Sequence, residues 1–312
     1  STKTRADTGA TTYTWTGNGD DNLWTNFANW SANRTECFGY PNSVNYAVAR
    51  FTKDAAVNLN QGTFSLLKQT GLTFSSGIDV CLSNGNIKCE YVTGTDFGAA
   101  RTTVVMKDVN LTRERVGMPS NATVVFEGNS SVSGMVRPYN VTGVTVIFRN
   151  GETTVGKILH GYGADNAFIV DNARLIVSGN PTKDWAMGSV PITFIDGPDR
   201  PAQLVATGSD GWNFKQSFTL EIPAGGRTEP YLQAVKHFTD VADQYASFTV
   251  DVTNWKGGRK IPLVKFTSKT PQTTFATLME GKKPVAMADG VNVTDKRNAR
   301  YEWSAEDNTL YY

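Results

Sequence analysis

The densest set of reactive side chains in this 312-residue chain lies in "GKILHGYGAD", where Lys157, His160, Tyr162 and Asp165 sit close together, with Asp171 and Arg174 just beyond. His160 is one of two histidines in the sequence. A lysine, arginine or histidine base beside a carboxylate and a cation is what eliminative cleavage of an acidic polysaccharide requires. Lys157, His160 and Asp165 are therefore the candidates if the protein is an enzyme. Hydrolysis of a glycosidic bond needs two opposed carboxylates instead. Asp165, Asp171, Asp184, Asp196, Asp199 and Asp210 supply carboxylates, but no spacing among them selects a pair. Glycines at 156, 161 and 163 make the first cluster read equally well as a polar loop. The reading of the sequence assigns no catalytic residue outright. Trp185 in "TKDWAMGS" and Trp212 in "GSDGWNF" occupy turn-like segments and are the candidates for ligand contact, stacking on sugars or on a partner.

Metal and thiol chemistry are poorly supplied. The segment "GNGDDN" (17–22) offers Asp20, Asp21 and Asn carbonyls to Ca²⁺ but lacks the spaced Asp ladder and bidentate Glu of a strong calcium loop. No Cys-x-x-Cys or Cys/His cluster points to zinc. The expectation is no metal and no cofactor, with Ca²⁺ the one ion the loop could take. Cys81 and Cys89 flank "LSNGNIK", a turn-like stretch, so a cross-strand disulfide is expected between them, leaving Cys37 free or bonded elsewhere; three buried thiols are the competing reading.

The elements that must carry these residues announce themselves by repetition. "TVVMKD", "TVVFEG", "TVIFRN", "AFIVDN" and "ITFIDG" recur along the chain. Aligned on Met106, Phe126, Phe148, Val170 and Ile195, they step by 20, 22, 22 and 25 residues. Second short runs usually follow, namely "SSVSG", "ETTVG", "ARLIVSG" and "AQLVATG". Matched strand pairs at a period of twenty-odd residues predict a β-solenoid, in which one repeat is one coil and stacking buries a face no coil could bury alone. The reading is an all-β fold, a right-handed parallel β-helix with N- and C-terminal caps. One short inserted helix is expected near 230–244, where Tyr231, Val235, Phe238, Ala242 and Tyr245 fall on one helical face and Pro230 suits a first turn. The chain divides into a Trp-rich cap with the first coils (1–65), the coils with the helical insert (66–254), and a strand-rich C-terminal cap (255–312).

Composition narrows the function classes. Charged residues are 19% of the chain, hydrophobic residues 39%, and the formal net charge is +1. No basic block supplies a phosphate-binding surface, so nucleic acid is not an expected partner. No apolar run reaches the length of a membrane span. Ser1 opens the chain without a charged, then apolar, leader, which reads as a signal peptide already removed or not required. Seven Asn-x-Ser/Thr sequons occur, at Asn29, Asn33, Asn110, Asn121, Asn129, Asn140 and Asn292; the four from 110 to 142 are expected at coil turns.

The opening "TWTGNGDDNLWTNFANWSA" followed by "YPNSVNYAVARF" resembles the start of bacterial secreted β-helix proteins, including autotransporter-like passengers. The matching positions are Trp15, Gly17, Trp24, Asn29, Trp30, Pro41, Asn42, Ala49 and Phe51. "RKIPLVKFTSKT" and "YEWSAEDNTLYY" are similar to the closing strands of such proteins. The resemblance implies a secreted or cell-surface location. It makes Trp15, Gly17, Trp24, Asn29 and Trp30 parts of a folded cap rather than a sugar platform. It leaves two function classes open: a structural or adhesive scaffold, with itself or a surface polysaccharide as partner and self-assembly into a layer or filament in view, and a carbohydrate-active lyase or glycosidase.

Overall fold

A computed structural model describes residues 11–34, 39–42, 47–66, 71–89, 99–156, 163–179, 190–209, 217–237 and 247–312. The chain forms a β-solenoid of stacked parallel coils. Each coil has a leading and a trailing strand. The leading series runs from Ala55–Asn58 through Asp79–Cys89, Thr103–Arg113, Thr123–Glu127, Thr145–Val155, Ala167–Val177, Ile192–Ile195, Ser217–Glu221 and Ser247–Asp251 to Val285–Ala288. In four coils one eleven-residue strand supplies both halves, bending at Asn84, Asp108, Asn150 and Asn172. Elsewhere the trailing half is a separate strand, such as Ser130–Val132 or Gln203–Ala206.

Alternation fixes which side chains fill the core. Val124, Phe126, Val146, Phe148, Phe168, Val170, Ile192, Phe194, Phe218 and Leu220 all point inward and are fully buried. Like stacks on like: Phe126 lies 5.5 Å from Phe148 and Phe218 lies 5.4 Å from Phe248, ring over ring. Each such side chain contributes about 1.5–3 kcal/mol by leaving water. The register confirms the repeat alignment through Val170, then departs by one residue, because Val170 pairs with Phe194 and not Ile195. Phe194 is buried and Ile195 only half-buried, and a one-residue slip would turn the large ring outward.

Two corners carry residues in the left-handed backbone region. One lies between the strand halves and uses Asn84, Asp108, Gly128, Asn150 and Asn172. The other precedes the leading strands that start at Asp79, Thr103, Thr123, Thr145 and Ala167 and uses Gly77, Arg101, Asn121, Gly143 and Asp165. Asn and Asp tolerate this conformation because their short polar side chains bond locally. At the first corner they also bond between coils: Asn129 N–H donates to Asp108 Oδ1 (2.8 Å) and Asn172 Nδ2 to Asn150 Oδ1 (3.1 Å). The outer face of the trailing strands continues the pattern, with Asn110 Nδ2 donating to Asn86 and Ser131 Oγ donating to Asn110 Oδ1.

Three sequence expectations need correction. Residues 230–237 contain no helix; Leu232–Ala234 is a trailing strand paired with Leu204 and Val264, and residues 238–244 lie outside the described residues. The pairing of a continuous β-stack overrides a short helical spacing. Among the described residues the α-helices are α1 (Thr273–Met279) and α2 (Thr294–Arg297). Cys81 and Cys89 are free thiols, not a disulfide. "LSNGNIK" is no hairpin: both cysteines lie on one strand bent at Asn84, Cys81 facing partly outward and Cys89 buried. Asn110 sits within a strand, its amide committed to Asn86, rather than at a turn; Asn121 and Asn140 do occupy exposed left-handed positions.

Both ends of the described solenoid are covered. At the N-terminal end, Asn58 of the first leading strand is bonded through its N–H to Asn22 O and through its C=O to Trp24 N–H, each 2.9 Å. At the other end, Val285–Ala288 pairs with Val291–Asn292, while Val293 N–H and Thr294 Oγ1 take the C=O and N–H of Ala286. The trailing series ends on Pro262–Phe266, closed by the antiparallel strand Thr309–Tyr311. Phe275 of α1 packs against Phe266 at 5.0 Å and near Trp303 at 6.0 Å.

Candidate functional site

The Trp-rich opening is structural. Trp15, Trp24 and Trp30 are all buried, and Trp24 fully so. Trp30 meets Trp15 and Trp24 edge-on at 5.0 and 4.9 Å, and Trp24 stacks on Phe64 at 5.2 Å. Each buried indole N–H of the inner pair has an acceptor: Trp24 donates to Pro41 O and Trp30 to Trp24 O. Asn29 is buried and organises the loop, accepting from Gly19 N–H and donating to Asp21 O and Leu23 O. Gly17 takes a positive φ of 62° against the Trp15 ring. Asp21 Oδ1 accepts from Leu23 N–H and Asn26 Nδ2, hydrogen bonds that hold its carboxyl below the usual range. That carboxylate is thus already used within the loop. Among the described residues no group of three or more His, Cys, Asp or Glu is placed to hold a metal ion.

Lys157, His160, Tyr162, Asp184, Trp185, Asp210, Trp212 and Cys37 lie outside the described residues. Asp165 is described, and its position changes its meaning. It is the left-handed corner residue of its coil, equivalent to Gly77, Arg101, Asn121 and Gly143. A structural requirement of the repeat therefore accounts for an aspartate there. Arg174, on the trailing half, is paired with Glu152 at 3.0 Å. Asp199 accepts from Asn172 Nδ2 at 3.4 Å.

The feature that sequence reading missed lies at the corner between strand halves. In the earlier coils a bend at one residue is enough. In three later coils the same corner expands into loops at 196–202, 222–231 and 252–261, stacked in order. The first two enclose a depression of about 330 Å³ lined by Asp196, Gly197, Pro201, Pro223, Gly226, Arg227, Thr228 and Glu229. Gly226, with φ +72°, closes a turn through its N–H to Pro223 O and lies against Arg259 and Ile261 of the third loop.

Arg227 pins this corner together. Its side chain is 2% exposed and forms an ion pair with Asp196 of the preceding loop. Its Nη2 donates to Ala202 O (3.1 Å) and Pro230 O (3.2 Å), and its Nε to Glu229 O (3.0 Å). The guanidinium plane covers Tyr231 at 3.6 Å, and the Tyr231 hydroxyl donates to Glu221 O. Only a guanidinium offers donors in this fork arrangement. Burial pushes the Asp196 carboxyl up, and the Arg227 charge opposes that rise; burial likewise lowers Arg227. Glu221, on the next leading strand, is raised by burial and then by Asp251, Asp171 and Asp196. Asp196 accepts from both Arg227 and Ala202 N–H through Oδ1. Its Oδ2, the Thr228 hydroxyl and the Glu229 carboxylate have no partner among the described residues, and all three residues line the depression.

The fold and this corner define a class: a β-solenoid, covered at both described ends, whose regular coils carry an elaborated, ion-pair-locked loop edge. Neither known family models, curated proteins nor solved structures give a match to the chain.

Proposed function

We infer that the chain is an extracellular or cell-surface scaffold whose contact edge is the stacked loop corner at 196–202, 222–231 and 252–261. The observation that carries this reading is the Arg227 lock. Over the regular coils, outward polar side chains such as Asn86, Asn110, Ser131, Glu127 and Arg149 are committed to neighbouring coils. At the loop corner one buried arginine satisfies the interior of the loops and leaves their rim polar groups unpaired. Holding a surface rigid while leaving its rim free is what preorganised binding requires. The covered leading strands at the two ends, Ala55–Asn58 and Val285–Ala288, disfavour a filament that grows by addition to them.

The test is retention of chain-coated beads on an array of immobilised surface glycans and extracellular proteins. Ala224→Arg with Lys256→Glu, both at exposed loop positions, should abolish retention; Lys53→Glu with Lys88→Glu, on distant coils, should preserve it. Equal retention by the two variants would refute the assignment of the edge.

A further inference from the structure

We propose that the depression between loops 196–202 and 222–231 binds a neutral saccharide residue and discriminates against uronic acids. This rests on the loop corner being the contact edge. The volume, about 330 Å³, is at the small end of ligand pockets and suits one sugar ring. Its walls are of two kinds. Pro201 and Pro223 present rigid apolar surfaces, and Gly197 and Gly226 bring backbone close without side chains. Three residues with side-chain oxygens lie along the same lining: Asp196, Thr228 and Glu229. A sugar offers the complement, C–H faces for the prolines and hydroxyl donors for the acceptors.

Charge sets the class of sugar. The lining's one cation, Arg227, is buried, and four of its five donors are committed to Asp196, Ala202 O, Glu229 O and Pro230 O. What remains facing the depression is acidic. A uronate or sulfated sugar would bring a second negative charge against Glu229 with no free cation in the lining to meet it. Carboxylates accepting from hydroxyls form charge-assisted bonds, roughly twice as strong as neutral ones. The buried ion pair holds Asp196 in place before the ligand arrives, so little ordering cost falls on binding.

The experiment is an NMR titration of the full chain with neutral gluco-, galacto- and manno-oligosaccharides, and with oligogalacturonate and glucosamine as charged arms. At least one neutral series should give saturable shifts at the Thr228 and Glu229 amides, with a Kd of about 1 mM or tighter. Oligogalacturonate should not. The double variant Thr228→Ala, Glu229→Ala leaves the Arg227 lock intact, so its spectrum elsewhere should be unchanged while affinity falls at least about tenfold. No saturable shift with any neutral sugar overturns the proposal, as does stronger binding of oligogalacturonate than of the neutral sugars or glucosamine, or undiminished affinity in the double variant. If these fail while bead retention still depends on the Ala224 and Lys256 positions, the edge stands and only the saccharide assignment falls.

Discussion

Arg227 gives the sharpest energetic test. Replacing it with methionine keeps much of the aliphatic volume and removes the guanidinium. Asp196 would then keep a largely buried carboxylate with a single remaining donor, Ala202 N–H. Carbonyls of Ala202, Glu229 and Pro230 would each lose a donor, and Tyr231 its cation cover. Breaking one side of a buried ion pair costs about 3–5 kcal/mol, and further acceptors left without donors add to that. Asp196 can protonate and water can enter from the open side, which offsets part of the loss, so the expected cost is about 4 kcal/mol. Solenoid coils couple mainly to their neighbours, so the loss will be concentrated at coils 192–266. Native-state hydrogen exchange at Leu204 N–H, bonded to Tyr231 O, is therefore the right assay, beside urea unfolding. Arg227→Met with Asp196→Asn should recover about half, because the stranded charge is gone. A change below about 0.5 kcal/mol at Leu204 would refute the argument that this arginine locks the corner.

Two further outcomes follow from the coils. Burial lowers His237 from the ordinary histidine range to about 4. A depressed histidine means that the unfolded chain binds the proton more readily, so this contribution is complete above about pH 6.5 and declines as pH falls toward 4, by about 3 kcal/mol in all; urea midpoints at pH 7.5 and 4.5 should converge in His237→Phe relative to the parent. At Gly151 an added Cβ would lie 2.0 Å from Gly128 O, whereas at Gly225 it would meet nothing within 4 Å. Gly151→Ala should therefore cost about 1–3 kcal/mol by forcing stacked backbones apart, and Gly225→Ala should leave the melting temperature within about 2 °C.

Much of this architecture was legible because it repeats. Met106, Phe126, Phe148 and Val170 stack at the predicted intervals since each coil asks the same of its inward positions. The Trp cap was legible as local chemistry: three indoles among asparagines that could hold a loop around them. Asp165 was ambiguous in the sequence because an aspartate at a left-handed corner has the same letter as one serving catalysis. The turn between Cys81 and Cys89 was misread because a solenoid corner and a hairpin use the same Asn-Gly vocabulary, and only parallel pairing separates them. Arg227 was invisible for another reason. Its partners are one carboxylate thirty-one residues away and backbone carbonyls, which no residue pattern marks. The one available signal was the lengthened step between Leu220 and Val250, which sequence reading gave to a helix.

That lengthening points to how such a fold acquires a binding edge. The corner between strand halves needs one residue in the left-handed region, supplied by Asn84, Asp108, Asn150 or Asn172. Its flanking strands are held by their own ladders, so residues added between them leave the core register unchanged: Leu220 still pairs with Val250, and Leu232 still pairs with Val264, across loops of different length from those before. Closing a longer loop costs little, since the penalty grows only logarithmically with length. The difficulty lies in the backbone polar groups of a long loop packed against another, which must find partners away from water. Arg227 meets that demand with a single side chain reaching two loops, which is why an arginine is found buried there and why the rim around it is left with Thr228 and Glu229 unpaired.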